Sequence, residues 1–269
     1  MPAPRTRIMG ILNVTPDSFY DGGRYSSSDR ALARAVEMAA EGADIIDVGG
    51  ESTRPGSLPV EAGEEIDRVC PVIEKICGET GIPVSVDTTK SAVALEAVKA
   101  GASIINDISG LTFDPEVAAV AAEHKTGLVI SHIRGIPENM QKNTSYGDLM
   151  KDILDFLNHS AENALKRGVA RESIIIDPGI GFGKSFEQNY IILNNIGLLR
   201  GAGYPVLIGL SRKSLIGRLY QGEEDRLPAT IALNAAAVLK GADIIRVHDV
   251  RAHKLAMAGI DFLKSAEVN

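Results

Sequence analysis

The chain has no tryptophan, and aromatic residues make up 4% of its 269 positions. A core of this size must therefore be built from Ile, Val, Leu and Ala. It has two cysteines, Cys70 and Cys77. Their separation is about two helical turns, roughly 10 Å, which is too far for an unstrained bridge, so both read as buried free thiols of a reducing compartment. Basic residues are not in excess. The net charge of −7 argues against a general nucleic-acid or membrane-surface role while leaving room for a local basic pocket. No apolar run approaches the ~20 residues that span a bilayer, and the N-terminal charges precede no apolar signal segment. A cytoplasmic protein is expected. The five histidines show no H-x-x-x-H or H-E-x-x-H spacing and no cysteine partners, which speaks against zinc. No Pro- or Ser-rich linker divides the chain, so residues 1–269 read as one domain.

What is present is an alternation of apolar β-type runs with longer amphipathic segments. Strands are predicted at Arg7–Asn13, Asp44–Gly49, Pro83–Asp87, Ser103–Asn106, Gly127–Ser131, Ser173–Asp177, Pro205–Gly209 and Asp243–Val247. Helices are predicted between them, with one continuous helix from about Phe186 to Arg200 and an N-cap at Asp29. Glu41-Gly-Ala-Asp-Ile-Ile, Ala100-Gly-Ala-Ser-Ile-Ile and Lys240-Gly-Ala-Asp-Ile-Ile each close a helix with glycine and open a strand. Eight strand–helix units in about 250 residues fit an α/β fold of the (β/α)₈ TIM-barrel type. An open doubly wound sheet would place G-x-G-x-x-G after its first strand, and this chain has none there.

In such a barrel all strand carboxyl ends meet on one face. The predicted ends carry Asn13, Asp47 with Glu51 beyond it, Asp87, Asn106, His132 with Arg134, Asp177, Ser211-Arg212-Lys213, and Arg246 with His248. The opposite ends carry Pro83, Ser103, Gly127 and Pro205, which read as punctuation. Asp47 fits a structural carboxylate as well as a functional one. Asp87, Asn106 and Asp177 crowded at one mouth would cost several kcal/mol unless paired or ligand-bound. Together they suit a flat heterocycle with amide- and amidine-like edges, with Arg212 and Lys213 as donors beside them. Arg246 and His248, on alternate positions of an extended chain, point to a phosphate or diphosphate. Asn13 could join them or ligate a hard cation such as Mg²⁺. The sixth strand runs into Asp177-Pro-Gly-Ile-Gly-Phe-Gly-Lys184, a loop able to approach a ligand closely. Two long loops, Thr15–Ser28 and Gly49–Glu61, read either as solvated connectors or as lids. Arg54-Pro-Gly favours a charged tip that closes over substrate.

Seven motifs stand in order at predicted strand ends: Met9-Gly-Ile-Leu-Asn-Val-Thr-Pro-Asp-Ser-Phe, Asp47-Val-Gly-Gly-Glu-Ser-Thr-Arg-Pro-Gly, Ser85-Val-Asp-Thr-Thr-Lys, Asn106-Asp-Ile, Asp177-Pro-Gly-Ile-Gly-Phe-Gly-Lys, Ser211-Arg-Lys-Ser and Arg246-Val-His-Asp-Val. With them the whole chain resembles the dihydropteroate synthases of folate synthesis. The resemblance implies a homodimeric transferase that joins 6-hydroxymethyl-7,8-dihydropterin diphosphate to 4-aminobenzoate with Mg²⁺. It implies pterin binding by Asp87, Asn106, Asp177, Lys213 and Arg246. It further implies aminobenzoate binding by Thr53, Phe182, Ser211, Arg212 and Phe19, and diphosphate binding by Asn13, Arg54, Arg246 and His248. Asn13 would be the metal-proximal residue, and Arg54, Lys213, Arg246, His248 and the loop residue Asp17 would serve the chemistry. Ser131, Ile133, Ile136 and Tyr20 depart from the usual pattern at pocket margins. A pterin-binding methyltransferase and a catalytically silent paralogue are the alternatives; the joint presence of Ser-Thr-Arg-Pro-Gly and Ser-Arg-Lys-Ser speaks against the first.

Overall fold

A computed structural model describes residues 5–15, 27–219 and 226–266. Eight parallel strands form the sheet: β1 (Arg7–Asn13), β2 (Ile45–Gly49), β3 (Val84–Asp87), β4 (Ile104–Asp107), β5 (Gly127–Ser131), β6 (Ile174–Asp177), β7 (Leu207–Gly209) and β8 (Ile244–Val247). The hydrogen-bonded order is β6-β5-β4-β3-β2-β1-β8-β7. A bridge between Ile176 and Val206, with Ile176 N donating to Pro205 O at 2.9 Å, joins β6 to β7 and closes the ring. The helices are α1 (Ser27–Glu41), α2 (Ala62–Thr80), α3 (Ser91–Lys99), α4 (Val117–His124), α5 (Leu149–Lys166), α6 (Phe186–Asn194), α7 (Ile196–Arg200), α8 (Ser214–Gly217), α9 (Arg226–Leu239) and α10 (Val250–Ser265). This is the expected (β/α)₈ barrel.

Strand side chains alternate between two environments, as the two-residue period of an extended chain requires. Ile8, Leu12, Ile46, Val48, Val86, Ile105, Ile130, Ile176, Ile208 and Ile245 face outward into the main core, against apolar helix positions such as Ala35, Val69, Ile73, Val93 and Ala97. The inward set begins with a separate cluster of Met9, Ile45, Val129, Leu207 and Ile244, flanked by Ile104 and Ile175. Two residues further along each strand, the same face carries Ile11, Asp47, Ser131, Gly209, Arg246, Asn106 and Asp177. The barrel thus has a dry apolar floor and a polar layer immediately above it.

Three local readings are corrected. Helix α1 starts two residues before Asp29, which lies in its first turn and pairs with Lys75 of α2 at 2.6 Å. The helix expected from Phe186 to Arg200 is broken at Asn195. There the side-chain amide donates to Ile191 O at 2.8 Å, and the backbone N–H reaches Ile192 O at 3.0 Å, three residues back rather than four. An asparagine amide competing for helix carbonyls is a sufficient cause. Cys70 and Cys77 are free, as expected, but only half-buried; burial pushes the Cys70 thiol up to about 11.

Met9 is fully buried in this floor. Met9→Ala should therefore destabilise the protein by about 2–5 kcal/mol, read from urea denaturation. A loss near zero would mean that the floor is not close-packed.

Candidate active site

The polar layer is organised around the Arg246 guanidinium. Nε donates to Asp47 Oδ2 at 2.5 Å, and Nη2 donates to Asp87 Oδ2 at 2.6 Å. Asn106 Nδ2 donates to the same Asp47 oxygen at 3.1 Å. Asp47, Asp87 and Asn106 are all buried. Register explains the meeting: Gly49 pairs with Asp87, Asp87 with Asn106, and Met9 of β1 lies between Ile45 and Arg246. Asp47 Oδ1 has no partner among the described residues. Asp47 thus fixes Arg246 and Asn106 with one oxygen and keeps an acceptor with the other.

Burial pushes the Asp87 carboxyl up to about 7, with Arg246 pulling it down and Asp47 adding to the rise. Burial also opposes the Arg246 cation, but Asp47 and Asp87 more than offset this and hold it above the usual arginine range. Across the mouth, Asp177 is buried and its Oδ1 accepts from Gly179 N at 2.7 Å. Burial raises it against the opposing pull of Lys213, Lys184 and Arg246. Lys213 donates to Ile180 O and lies 4.6 Å from the centre of the Phe182 ring. Burial lowers it to about 8, with Asp177 opposing.

A cationic group stands beside this layer. Ser211 Oγ lies 2.8 Å from His248 Nδ1 and accepts from His248 N at 3.2 Å. A hydroxyl hydrogen directed to Nδ1 would leave the ring proton on Nε2 as a donor. Burial, then the fields of Arg212, Arg246, Arg54 and Arg34, push His248 down to about 3, so the ring is neutral near pH 7. Arg34 Nη2 also donates to the His248 carbonyl at 3.1 Å. Arg212 is exposed, with φ 58°, a conformation rare for its residue type that marks functional turns.

The loop bearing half-buried Thr53 and exposed Arg54 is anchored rather than loose. Glu51 Oε2 accepts from Val60 N at 2.8 Å and from Lys90 Nζ at 2.6 Å, and Lys90 also reaches buried Glu65 at 2.5 Å. Gly56 N donates to Pro137 O at 3.1 Å, tying this loop to the one after β5. Asn13 is half-buried at the end of β1; a Cβ added to Gly49 would lie 3.7 Å from its Oδ1 and 3.8 Å from Asp87 Oδ2. Asp17 and Phe19 lie outside the described residues.

The fold therefore gathers Asp87, Asn106, Asp177, Lys213, Arg246, His248, Ser211 and Phe182 around one mouth, with Arg54 and Arg212 as exposed contributors to its field. Sequence reasoning missed Lys90 with Glu51 and Glu65, and it missed Lys184, which is buried against His132. The one signal for Lys184 was a lysine closing an apolar, glycine-rich run.

A polar barrel mouth of paired carboxylates and an arginine above an apolar floor is where (β/α)₈-barrel enzymes carry their active sites, and it defines the class to which the chain is compared. The sequence pattern of the family described as pterin binding enzyme matches residues 9–248. The dihydropteroate synthase of Bacillus subtilis is 52% identical over 248 residues, covering 92% of this chain and 85% of that one. The crystal structure of the dihydropteroate synthase from Clostridium difficile, obtained in the presence of pteroic acid, superposes with a TM-score of 0.92 at 45% identity, covering 97% of this chain and 98% of that one. That of Xanthomonas albilineans with 4-aminobenzoic acid gives 0.91 at 40% identity, covering 98% and 94%. The chain belongs to the pterin-binding enzymes, and among them to the dihydropteroate synthases. No described helix is long and apolar enough to cross a membrane.

Asp87 allows a pH test. Its folded-state carboxyl titrates near 7, above the unfolded value of about 4. The native state therefore holds the extra proton between these limits, and the Asp87 contribution to stability should fall as pH rises through that window. It runs against the opposite contribution of His132 and His248, whose lowered values add stability as pH rises toward the ordinary histidine range. The difference between the parent and Asp87→Asn in pH-dependent denaturation curves isolates this contribution, since Asp107, Asp177 and Glu65, also raised by burial, and the histidines are common to both proteins. The parent's stability relative to the variant should fall as pH rises from about 4 to about 7. A slope unchanged from the parent protein would show that Asp87 titrates normally.

Proposed function

We propose that this site condenses 6-hydroxymethyl-7,8-dihydropterin diphosphate with 4-aminobenzoate. The arylamine nitrogen bonds to the pterin methylene carbon as that carbon's bond to the diphosphate oxygen breaks. Diphosphate departs with the electron pair, and the amine loses one proton, giving 7,8-dihydropteroate. The observation that carries the reading is the division of one mouth into a buried carboxylate–amide layer and an adjacent group of arginines around a neutral histidine.

In this reading Asp177, Asp87 and Asn106 accept from and donate to the edges of the pterin, and Lys213 donates beside them. Arg246 is held rigidly by Asp47 and Asp87. It presents a flat cation to the ring and to the diphosphate without reorganising during the reaction. Nε2–H of His248 donates to a diphosphate oxygen, while Arg54 and Arg212 neutralise the charge that builds as the bond breaks. Phe182, fixed under Lys213, makes the apolar wall for the benzoate ring together with Thr53 and Ser211, and Arg212 meets the carboxylate. Asp17 and Phe19 belong to the loop that closes over the reacting atoms and excludes water.

Mg²⁺ completes the reading. The described residues contain no cluster of three His, Cys, Asp or Glu side chains able to cage a metal. Asn13 Oδ1 at the mouth suits an ion that takes most of its ligands from substrate oxygens and water. When bound, the ion supplies charge neutralisation on the diphosphate. The reading further includes a cytoplasmic homodimer, with exposed Leu255, Phe262 and Leu263 on α10 forming an apolar face suited to a second copy.

Diphosphate release measured with Mg²⁺ and the pterin diphosphate, with and without 4-aminobenzoate, tests the whole reading. Aminobenzoate-dependent release with dihydropteroate recovered is expected; pterin binding without release would point to a silent binder. Arg54→Ala should lower kcat by about 10²-fold or more with little change in pterin affinity, and an unaltered rate would remove that loop from the chemistry. Asp177→Asn should weaken pterin binding by roughly ten- to a hundredfold, the worth of a charged hydrogen-bond acceptor.

A further inference from the structure

The loop after β6 crosses the end of β5 with almost no clearance. Gly179 has φ 66°, and a Cβ there would lie 1.9 Å from His132 O. Gly183 has φ 67°, and its Cβ would lie 2.6 Å from Arg134 O. Every carbonyl from Gly179 to Gly183 accepts a hydrogen bond from a side chain. Ile180 O accepts from Lys213, Gly181 O from Gln141 at 2.5 Å, and Gly183 O from the Tyr146 hydroxyl at 2.9 Å. The other two accept from one residue: Lys184 Nζ donates to Gly179 O at 2.9 Å and to Phe182 O at 3.0 Å. The same Nζ lies 2.9 Å from His132 Nδ1 and 3.3 Å from His132 O.

Lys184 is buried at 2% exposure. Removing an ammonium from water is costly, and burial pushes Lys184 well below the usual lysine range, with Asp177 opposing. Its surroundings nevertheless suit the charged form. Three of its four neighbouring atoms are carbonyl oxygens, which only accept. The fourth belongs to a ring that burial, then Lys184 and Arg134, push down to about 3, so it is neutral and free to accept at Nδ1. An ammonium directs its three hydrogens into this set of acceptors, the longest contact, His132 O at 3.3 Å, sharing one of them; a neutral amine would turn its lone pair toward oxygen lone pairs unless the histidine tautomer reversed.

We propose that Lys184 is a positioning residue of the pterin site: it fastens the Gly179–Gly183 loop to the end of β5 and supplies a fixed positive charge behind the Asp177 carboxylate. The inference rests on the reading of Asp177 as a pterin acceptor. Asp177 is faced by Lys184 from its own loop, Lys213 from the segment after β7, and Arg246 from β8. Asp87 of β3 acts on Lys213, and neutral His132 after β5 backs Lys184. Lys213 and Arg246 stand where ligand would engage them; Lys184 is enclosed, its hydrogen bonds go to the loop and to His132, and it acts on the carboxylate through its field.

A cation behind a carboxylate keeps it ionised to lower pH. Loss of Lys184 should therefore raise the pH at which Asp177 takes a proton and ceases to accept from the pterin. The test is calorimetric binding of 6-hydroxymethyl-7,8-dihydropterin from about pH 5.5 to about pH 9. It compares the full-length protein, Lys184→Met, Lys184→Gln and Asp177→Asn, with melting curves to verify folding. Relative to the unaltered protein, both Lys184 variants should lose about tenfold more affinity near pH 6 than near pH 9, where the carboxylate is ionised regardless and only the loss of the loop's fastening remains. Weakening by one constant factor at every pH would overturn the fixed charge behind Asp177, because loss of the loop's fastening alone has no such pH dependence. Nitrogen NMR of the lysine side chains in the unaltered protein gives a reading that needs no variant: a Lys184 signal of ammonium type near neutral pH is expected, and one of amine type would overturn the fixed charge. If the unaltered protein binds no pterin, or Asp177→Asn binds as well as it does, the reading of the site itself fails. If those controls behave and the Lys184 profiles match that of the unaltered protein, only the present inference fails.

Discussion

The Arg246 guanidinium, held between Asp47 and Asp87 on top of an apolar floor, is the interaction on which the site depends. A buried ion pair of this kind contributes little net stability, because desolvation offsets most of the Coulombic gain. What it contributes is geometry. Arginine stays charged in any surroundings, and its planar fork aligns two carboxylates that would otherwise repel each other. Asn106 joins through the shared Asp47 oxygen, so one network fixes side chains from β2, β3, β4 and β8. The floor beneath keeps water from relaxing it.

The other side of the mouth is built by a different principle. Around β5, β6 and β7 the fixed objects are backbone carbonyls, each capped by a side chain from a neighbouring segment. A glycine-rich loop has the most conformational freedom to lose, and this one is held at every carbonyl. The carbonyl clamp matters most here because the ladder is thinnest here: β6 and β7 share a bridge at Ile176 and Val206, whereas β1 and β2 are paired over five residues. Side-chain clamps replace ladder bonds where the strands are short.

The barrel was legible in the sequence because its strands are short β-branched runs alternating with amphipathic helical segments, and because glycine closes several of the helices before them. The functional face was legible for the same geometric reason: Asp87, Asn106, Asp177 and Arg246 each end an apolar run, and a parallel barrel sends all such ends to one side. What stayed hidden depended on pairings distant in sequence. Asp47 fitted structure or function equally until Arg246, 199 residues away, was seen against it. Lys90 drew no reading of its own, yet Glu51 and Glu65, 39 and 25 residues away, converge on it. Lys184 carried a charge that composition would place in solvent. The break at Asn195 was missed because apolar periodicity continues through it, and one side-chain amide decided the matter.

The neighbour relations of β1 bear on how the molecule is made. The first strand sits between β2 and β8, and Asp261 of the last helix takes hydrogen bonds from both the backbone and the hydroxyl of Thr6. During synthesis one edge of β1 therefore waits, unpaired, until β8 has left the ribosome. An open parallel edge of apolar character is a template for pairing with another chain, and its closure joins residues more than 230 positions apart. Such long-range closure is slow on topological grounds. The interval before the last strand arrives is when this protein is most exposed to aggregation, and when a chaperone would have most to protect.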